Sequence, residues 1–315
     1  MTTAEERSLL RQTVAALIDK HASPDMVRQA MDSARGYDAA LWGLLCDQVG
    51  AAALVVPEAL GGAGGELADA AAVLEELGKA LVPTPLLATT LAELALLAAD
   101  TPDGATLERL ACGKSIGTVV FDREFVLNGD VADVVLAVED GRIEQWSHVD
   151  VQMLESMDPT RRLARLTPGS EITIGSDPGL ADTAAILLAA EQIGAASRCL
   201  DLTVEYTKQR VQFGRPIGSF QALKHRMADL YVAVESARAV VGDAVAGPSP
   251  TTAALARLSA SEAFTAVAGE AIQMHGGIAI TWEHDIQLYF KRAYSSAELF
   301  GPPADQLRRL ESEVL

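Results

Sequence analysis

The sequence predicts a mainly α-helical protein in three parts: an N-terminal helical domain (residues 1–112), a small β domain (113–180) and a C-terminal helical bundle (181–315). Three observations carry that expectation. Alanine and leucine dominate while aromatic residues make up only 5%, a composition that favours helix over sheet. Apolar residues recur at spacings of three and four at both ends of the chain. Between them the period changes to short β-rich runs punctuated by Gly, Asp and Pro.

The first helix follows from Thr3 and Glu6, which have the spacing of a capping box, and from Leu10, Val14, Leu17 and Ile18, which share one face. A second helix is expected from about Tyr37 to Val49, stopped by Gly50. The stretch 56–66 (VPEALGGAGGE) reads as a glycine-rich turn. A third helix follows with Gly78 near its end, and another resumes over 86–97 after Pro83 and Pro85. In the middle region, runs at 117–121, 124–129, 133–141 and 171–175 predict a small antiparallel sheet. Beyond it, two seams fit long bundled helices: Ile186, Ala190, Ile193, Ser197, Leu200 and Val204, then Phe220, Leu223, Met227, Leu230, Val234, Ala237 and Val241. A third helix runs from about Thr251 to His275 and ends at Gly276-Gly277, where a positive φ suits glycine.

With 315 residues and 49% hydrophobic composition, the chain is long enough for a sizeable core and too apolar for disorder. The net charge of −18 repels nucleic acid and anionic membranes, so any polyanionic ligand requires a local basic patch. Cys46, Cys112 and Cys199 are odd in number and widely spaced, and read as buried, reduced thiols. The N-terminal MTTAEERSLL lacks a signal pattern, and charged residues interrupt every apolar stretch well short of a membrane span. A cytoplasmic protein is expected.

Two segments stand out for chemistry. Residues 208–226 (KQRVQFGRPIGSFQALKHR) concentrate Lys208, Arg210, Arg215, Lys224 and Arg226 in an otherwise acidic chain. They lie at a junction between helices, with a new helix N-terminus near Ser219, which suits a phosphate. From charge alone, a solvated basic helix end stands beside that reading. Residues 270–293 place Gln273 and His275 around a Gly-Gly pair, which admits close approach of a ligand or simply stops a helix.

Together, in this order, R-x-QFG-x-PI-x-x-FQ and Q-x-x-GG resemble the C-terminal domain of acyl-CoA dehydrogenases, and VPE-x-x-GG-x-G followed by VLEELG resembles the same family. The resemblance runs from about residue 40 to 293 and implies an acyl-CoA dehydrogenase-like fold with a C-terminal four-helix bundle. It also implies FAD as cofactor, an acyl-CoA thioester as substrate and an electron-transfer flavoprotein as electron acceptor. In that family a glutamate removes the α-proton while the flavin accepts hydride. The FAD crosses a subunit interface, its adenosine and diphosphate end lying against the neighbour's bundle. By resemblance, Arg210, Gln212, Phe213, Phe220, Gln221, Gln273, Met274, His275, Gly276 and Gly277 contact that end.

Departures from the family are as informative. Ungapped counting puts Phe300 where most members carry the base, and about Ala184 where a smaller branch carries it; neither side chain accepts a proton. Glu298 and Asp182 lie close to these positions, and Glu191 is a lone carboxylate on an alanine-rich helix that could act as a base. The β region is short and lacks the EPxxGSD-like and W-x-T-N-like stretches; only Leu127-Asn128-Gly129 resembles part of it. No catalytic residue is therefore assigned. The pattern resembles the small subunit of actinobacterial heteromeric (α2β2) acyl-CoA dehydrogenases of steroid catabolism, in which a larger partner supplies base and flavin pocket. Two alternatives stay open: a structural or binding protein that kept the fold without FAD, and a self-sufficient dehydrogenase using Glu191 or Glu298.

Overall fold

The computed structural model describes residues 3–314. The N-terminal helices are α1 (Ala4–His21), α2 (Pro24–Asp32), α3 (Ala39–Leu44), α4 (Leu67–Lys79), α5 (Leu86–Leu97) and α6 (Gly104–Ala111). Thr3 and Glu6 make the expected capping box, and Val14, Leu17 and Ile18 are buried. The helix expected over 37–49 is α3 continued by a π turn (Leu45–Val49), and it stops at Gly50 with φ 67°. Sequence reasoning missed α2, which opens on Ser23 as N-cap and Pro24 in its first turn. It also missed α6, capped by Asp103.

The strands are β1 (Gly117–Val120), β2 (Val126–Leu127), β3 (Val134–Glu139), β4 (Arg142–Ser147), β5 (Asp150–Leu154), β6 (Leu163–Thr167) and β7 (Ser170–Ser176). They form two sheets, of order β1-β3-β4-β7 and β2-β6-β5, rather than the single antiparallel sheet expected. The β1–β3 pair is parallel. The reason is β2: it leaves the first sheet to pair with β6, so the chain crosses over and returns in the original direction. Three strands, β4 to β6, escaped the sequence reading. Their runs carry charged residues such as Arg142, Glu144 and Arg165, which leaves few apolar residues to mark a strand, and β5 is mostly exposed.

The second helical region comprises α7 (Leu180–Gln209), a short hairpin of β8 (Val211–Gln212) and β9 (Arg215–Pro216), then α8 (Gln221–Ala246), α9 (Pro250–His275), α10 (Ile286–Glu298) and α11 (Pro303–Val314). No helix among the described residues is long and apolar enough to cross a membrane. The central element is α7, buried on every side from Ala184 to Ala196. That burial explains its uniformly apolar sequence there.

Two glycines set how closely α4 and α7 pack. A Cβ on Gly194 would lie 1.9 Å from the Glu75 carbonyl oxygen, and one on Gly78 would lie 2.2 Å from that of Glu191. Each backbone fills the notch left by the other's missing side chain. Gly194→Ala therefore lowers the unfolding free energy by about 1–3 kcal/mol through overpacking. Gly242→Ala on α8 meets nothing within 4 Å and leaves stability equal or slightly higher. Urea denaturation of both variants checks the contrast.

All three cysteines are free. Cys46 and Cys199 are buried as expected, and burial pushes the Cys46 thiol up to about 12. Cys112 is exposed, contrary to expectation, as the C-cap of α6.

Candidate functional site

The first motif segment begins where α7 ends at Arg210, its C-cap, with extended backbone (φ −70°, ψ 117°). The β8–β9 hairpin turns at Phe213 and Gly214, both at positive φ. That turn thrusts Phe213 into solvent, where it is 92% exposed. Its ring meets Phe220 edge-on at 6.1 Å, and the Arg215 guanidinium lies over the Phe220 ring at 4.0 Å. The Ile217 amide closes the loop by donating to the Arg210 carbonyl at 2.8 Å. Phe220 is the N-cap of α8 and gives no side-chain cap; the Leu223 and Lys224 amides donate to its carbonyl, which leaves the Gln221 and Ala222 amides open to a ligand. Ser219, near the expected helix start, donates its hydroxyl to the Pro216 carbonyl at 2.7 Å. Lys208 pairs with Glu205 and Arg226 with Glu270, each at 2.7 Å. Arg210, Arg215 and Lys224 have no carboxylate partner among the described residues.

The second segment is the end of α9. Gly276 (φ 65°, ψ −144°) turns the chain, and a Cβ on Gly276 or Gly277 would meet only open space. Gln273 and both glycines are exposed, whereas the side chains of Met274 and His275 are buried beneath the turn. The Tyr206 hydroxyl donates to the His275 carbonyl at 3.2 Å. That bond ties the end of α7, four residues before Arg210, to the glycine turn, so the two segments meet at one end of the bundle. Exposed apolar side chains flank both: Val211 with Phe213, and Ile280 with Trp282. Such a cluster marks a surface built to be covered.

The positions implicated in proton abstraction are in the opposite condition. Ala184 is fully buried in the main apolar core. Phe300 packs against the same core and sets its ring edge-on to Phe121 at 5.3 Å. Asp182 is paired with Arg309 at 2.5 Å. Glu298 is exposed at the end of α10. Glu191 is neither a surface residue nor a free carboxylate: its Oε1 accepts from Arg161 at 2.5 Å and also from Arg292. Arg292 reaches on to Asp158 at 3.1 Å and Thr160 at 2.8 Å, and Arg161 to Ser296 at 2.7 Å. The group is buried between the β layer and the bundle. Beside it lies a cavity of about 20 Å³, lined by Asn128, Thr160, Glu191 and Arg292 among others, room for a single water.

Arg257 completes this interior. It is fully buried, and burial lowers it to about 10. Its guanidinium donates to the carbonyls of Ser296, Ala297 (3.0 Å) and Leu299 (2.8 Å). These are orphan carbonyls at the C-terminus of α10, where a cation also suits the helix dipole. Arg257 thus fixes the backbone that leads into Phe300. Sequence reasoning missed Arg161, Arg257 and Arg292 because most of their partners are far away in the chain.

Comparison with known proteins agrees with this architecture. The acyl-CoA dehydrogenase N-terminal domain matches residues 4–103 and the C-terminal domain matches residues 180–315. The acyl-CoA dehydrogenase IpdE2 of Mycolicibacterium smegmatis is 70% identical over 99% of both chains. This chain belongs to the acyl-CoA dehydrogenase family. IpdE2 of Mycobacterium tuberculosis is 66% identical over 100% of this chain and 99% of that protein. Among solved structures, the Tcur3481–Tcur3483 steroid acyl-CoA dehydrogenase variant superimposes with a TM-score of 0.91 at 26% identity, covering 98% of each chain. The ChsE4–ChsE5 complex of M. tuberculosis gives 0.90 at 27%, covering 99% of this chain and 98% of that one.

Members of the family bind FAD. The exposed set fits the adenosine and diphosphate portion of such a molecule. Unpaired guanidinium groups and open helix amides suit phosphate, and Phe213 and the bare glycines suit close stacking. The interior around Glu191 does not fit a flavin ring, since the adjoining cavity is of single-water size.

Proposed function

We propose that this chain is the non-catalytic subunit of a heteromeric, FAD-dependent acyl-CoA dehydrogenase. The observation that carries the reading is the contrast between two half-sites. The interior at Ala184, Glu191 and Phe300 is closed by packing and ion pairs. The surface at Arg210–Gln221 and Gln273–Gly277 is open, basic and apolar.

In this reading a larger acyl-CoA dehydrogenase subunit contributes the catalytic glutamate and the flavin pocket, most simply as an α2β2 assembly. FAD supplies hydride acceptance when bound. Arg210, Arg215 and Lys224 neutralise its diphosphate, with the open amides of α8 beside them. Gln212, Gln221 and Gln273 supply neutral donors and acceptors. Phe213 and Phe220 stack, and the partner covers Val211, Phe213, Ile280 and Trp282, which excludes water. An acyl-CoA bearing a steroid-derived group is the proposed substrate, supported by the likeness to a steroid acyl-CoA dehydrogenase. An electron-transfer flavoprotein is the proposed acceptor.

The test is expression of the chain alone and together with candidate larger subunits, followed by measurement of bound flavin and acyl-CoA oxidation. The chain alone is expected to be colourless and inactive, and the complex yellow and active. In the complex, Arg210→Ala is expected to weaken FAD retention at least tenfold, the loss of about 1.5–3 kcal/mol from one charge-assisted hydrogen bond. Flavin-loaded, active protein from the chain alone overturns the division of labour. An Arg210→Ala complex with unchanged flavin affinity overturns the cofactor assignment.

A further inference from the structure

Three aromatic rings lie under the glycine turn. Tyr206 on α7 stacks on His275 with centroids 4.2 Å apart and planes 24° apart. His284 meets His275 at 4.7 Å and Tyr206 at 6.1 Å, both edge-on. The hydrogen bonds fix the tautomers. His275 Nδ1 lies 2.7 Å from the Ala271 carbonyl and so carries a proton. Its Nε2 is buried and has no hydrogen-bond partner. His284 Nδ1 accepts from the Ile286 amide at 3.2 Å and so carries none. Both imidazoles are therefore neutral as packed.

We propose that Tyr206, His275 and His284 form an acid-releasable latch that positions the Gly276–Gly277 turn. A proton added to His275 must go on Nε2, where no acceptor waits and water is excluded. A proton on both rings sets like charges with ring centroids 4.7 Å apart. The charged groups around the stack offer little relief. Asp285 stands next to His284, but its carboxylate is held by Arg28 from α2 at 2.6 Å. Glu270 on α9 is paired with Arg226. Tyr206 presents its hydroxyl to a carbonyl. Burial depresses both histidines below the ordinary value of 6.5.

The sign follows from proton counting. Below 6.5 the unfolded or opened chain binds protons that the latched state refuses, so latching is at full strength above 6.5 and weakens as pH falls. The stack also explains why His275 and Met274 are buried beneath a motif whose neighbours are exposed. Tyr206 and His275 transmit the end of α7 to the turn through the 3.2 Å bond. Tyr206, His275 and His284 are positioning residues, and the consequence for cofactor retention rests on the proposed function.

The test titrates the isotope-labelled chain by NMR from pH 8 to pH 5. Both imidazoles are expected to titrate below 6.5, and the Gly276 and Gly277 amides to move with the same midpoint. The Ala253 amide at the far end of α9 is expected not to follow. Imidazoles titrating at or above 6.5, or glycine signals indifferent to the imidazole midpoint, overturn the latch. His284→Gln is expected to move the His275 midpoint towards 6.5, and the glycine midpoint with it. Tyr206→Phe keeps the ring and loses only the hydroxyl bond, and is expected to raise the pH at which the turn releases. Unchanged glycine midpoints in both variants overturn the proposal. In the complex with a larger subunit, flavin loss on acidification is expected to track the glycine midpoint. A complex that holds no flavin at any pH overturns the proposed function, while the glycine titration judges the latch on its own.

Discussion

Replacing Glu191 with leucine is expected to lower the unfolding free energy by about 3–5 kcal/mol, the usual cost of breaking a buried ion pair from one side. The reason is geometric. Glu191 Oε1 is shared by Arg161 and Arg292, which are buried with it. Removing the carboxylate leaves two guanidinium groups with Asp158 as their remaining anionic partner in the cluster. Glu191→Gln keeps a hydrogen-bonding oxygen and is expected to lose less. Urea denaturation measures both. The pair also tests the role of this carboxylate. In a heteromeric complex, turnover per folded molecule is expected to be unchanged by Glu191→Gln. A variant as stable as wild type but without turnover would make Glu191 the base and remove the main support for a non-catalytic subunit.

The second large effect concerns Glu93 on α5, which is 0% exposed with both carboxylate oxygens unpartnered. Burial raises it well above the usual value of 4.5. The folded state therefore keeps a proton that the unfolded chain releases above 4.5. Its contribution opposes folding increasingly as pH rises from 4.5 towards the raised folded value. Glu93→Leu is expected to stabilise the chain by about 1–3 kcal/mol at pH 5, where the gain is removal of an unsatisfied polar group. The gap between variant and wild type then widens by up to about 1.4 kcal/mol per pH unit. Chemical denaturation at pH 5, 6, 7 and 8 reads the slope. A constant difference across that range means that Glu93 finds a partner and keeps an ordinary affinity for protons.

Much of the helical framework was legible because it depends on local rules. The Thr3–Glu6 box, the stop at Gly50 and the α5 limits at Leu86–Leu97 follow from capping, backbone freedom and periodicity. The bundle seams were legible too: Ile186, Ile193 and Leu200 on α7 and Leu230, Val234 and Val241 on α8 are buried. The β layer was less so. The crossover of β2 into a second sheet depends on pairing with β6, some forty residues away, and no local pattern encodes it. Short α2 and α6 were hidden by their length, nine and eight residues, which gives the apolar face few repeats, although their caps were readable.

The exposed motif residues were visible as motifs, whereas the interior network was not. Arg161, Arg257 and Arg292 carry no sequence signal of burial; as charged side chains they read as surface. Their burial is possible only because Glu191, Asp158 and three backbone carbonyls converge on them from other elements. The aromatic stack has the same character. His275 was singled out for its place in Gln273–Gly277, but folding adds Tyr206 and His284 and turns the imidazole inward.

By itself, the sequence determined the family, the helical periodicity, the basic segment at 208–226 and the unreactive side chains at Ala184 and Phe300. Those are properties of residue type and spacing, which covalent order fixes. Only the tertiary structure decided that Glu191 is bound by two arginines, that Met274 and His275 face inward and that Phe213 faces out. Those are properties of which groups lose water and what replaces it, and that is set by elements far apart in the chain meeting in space.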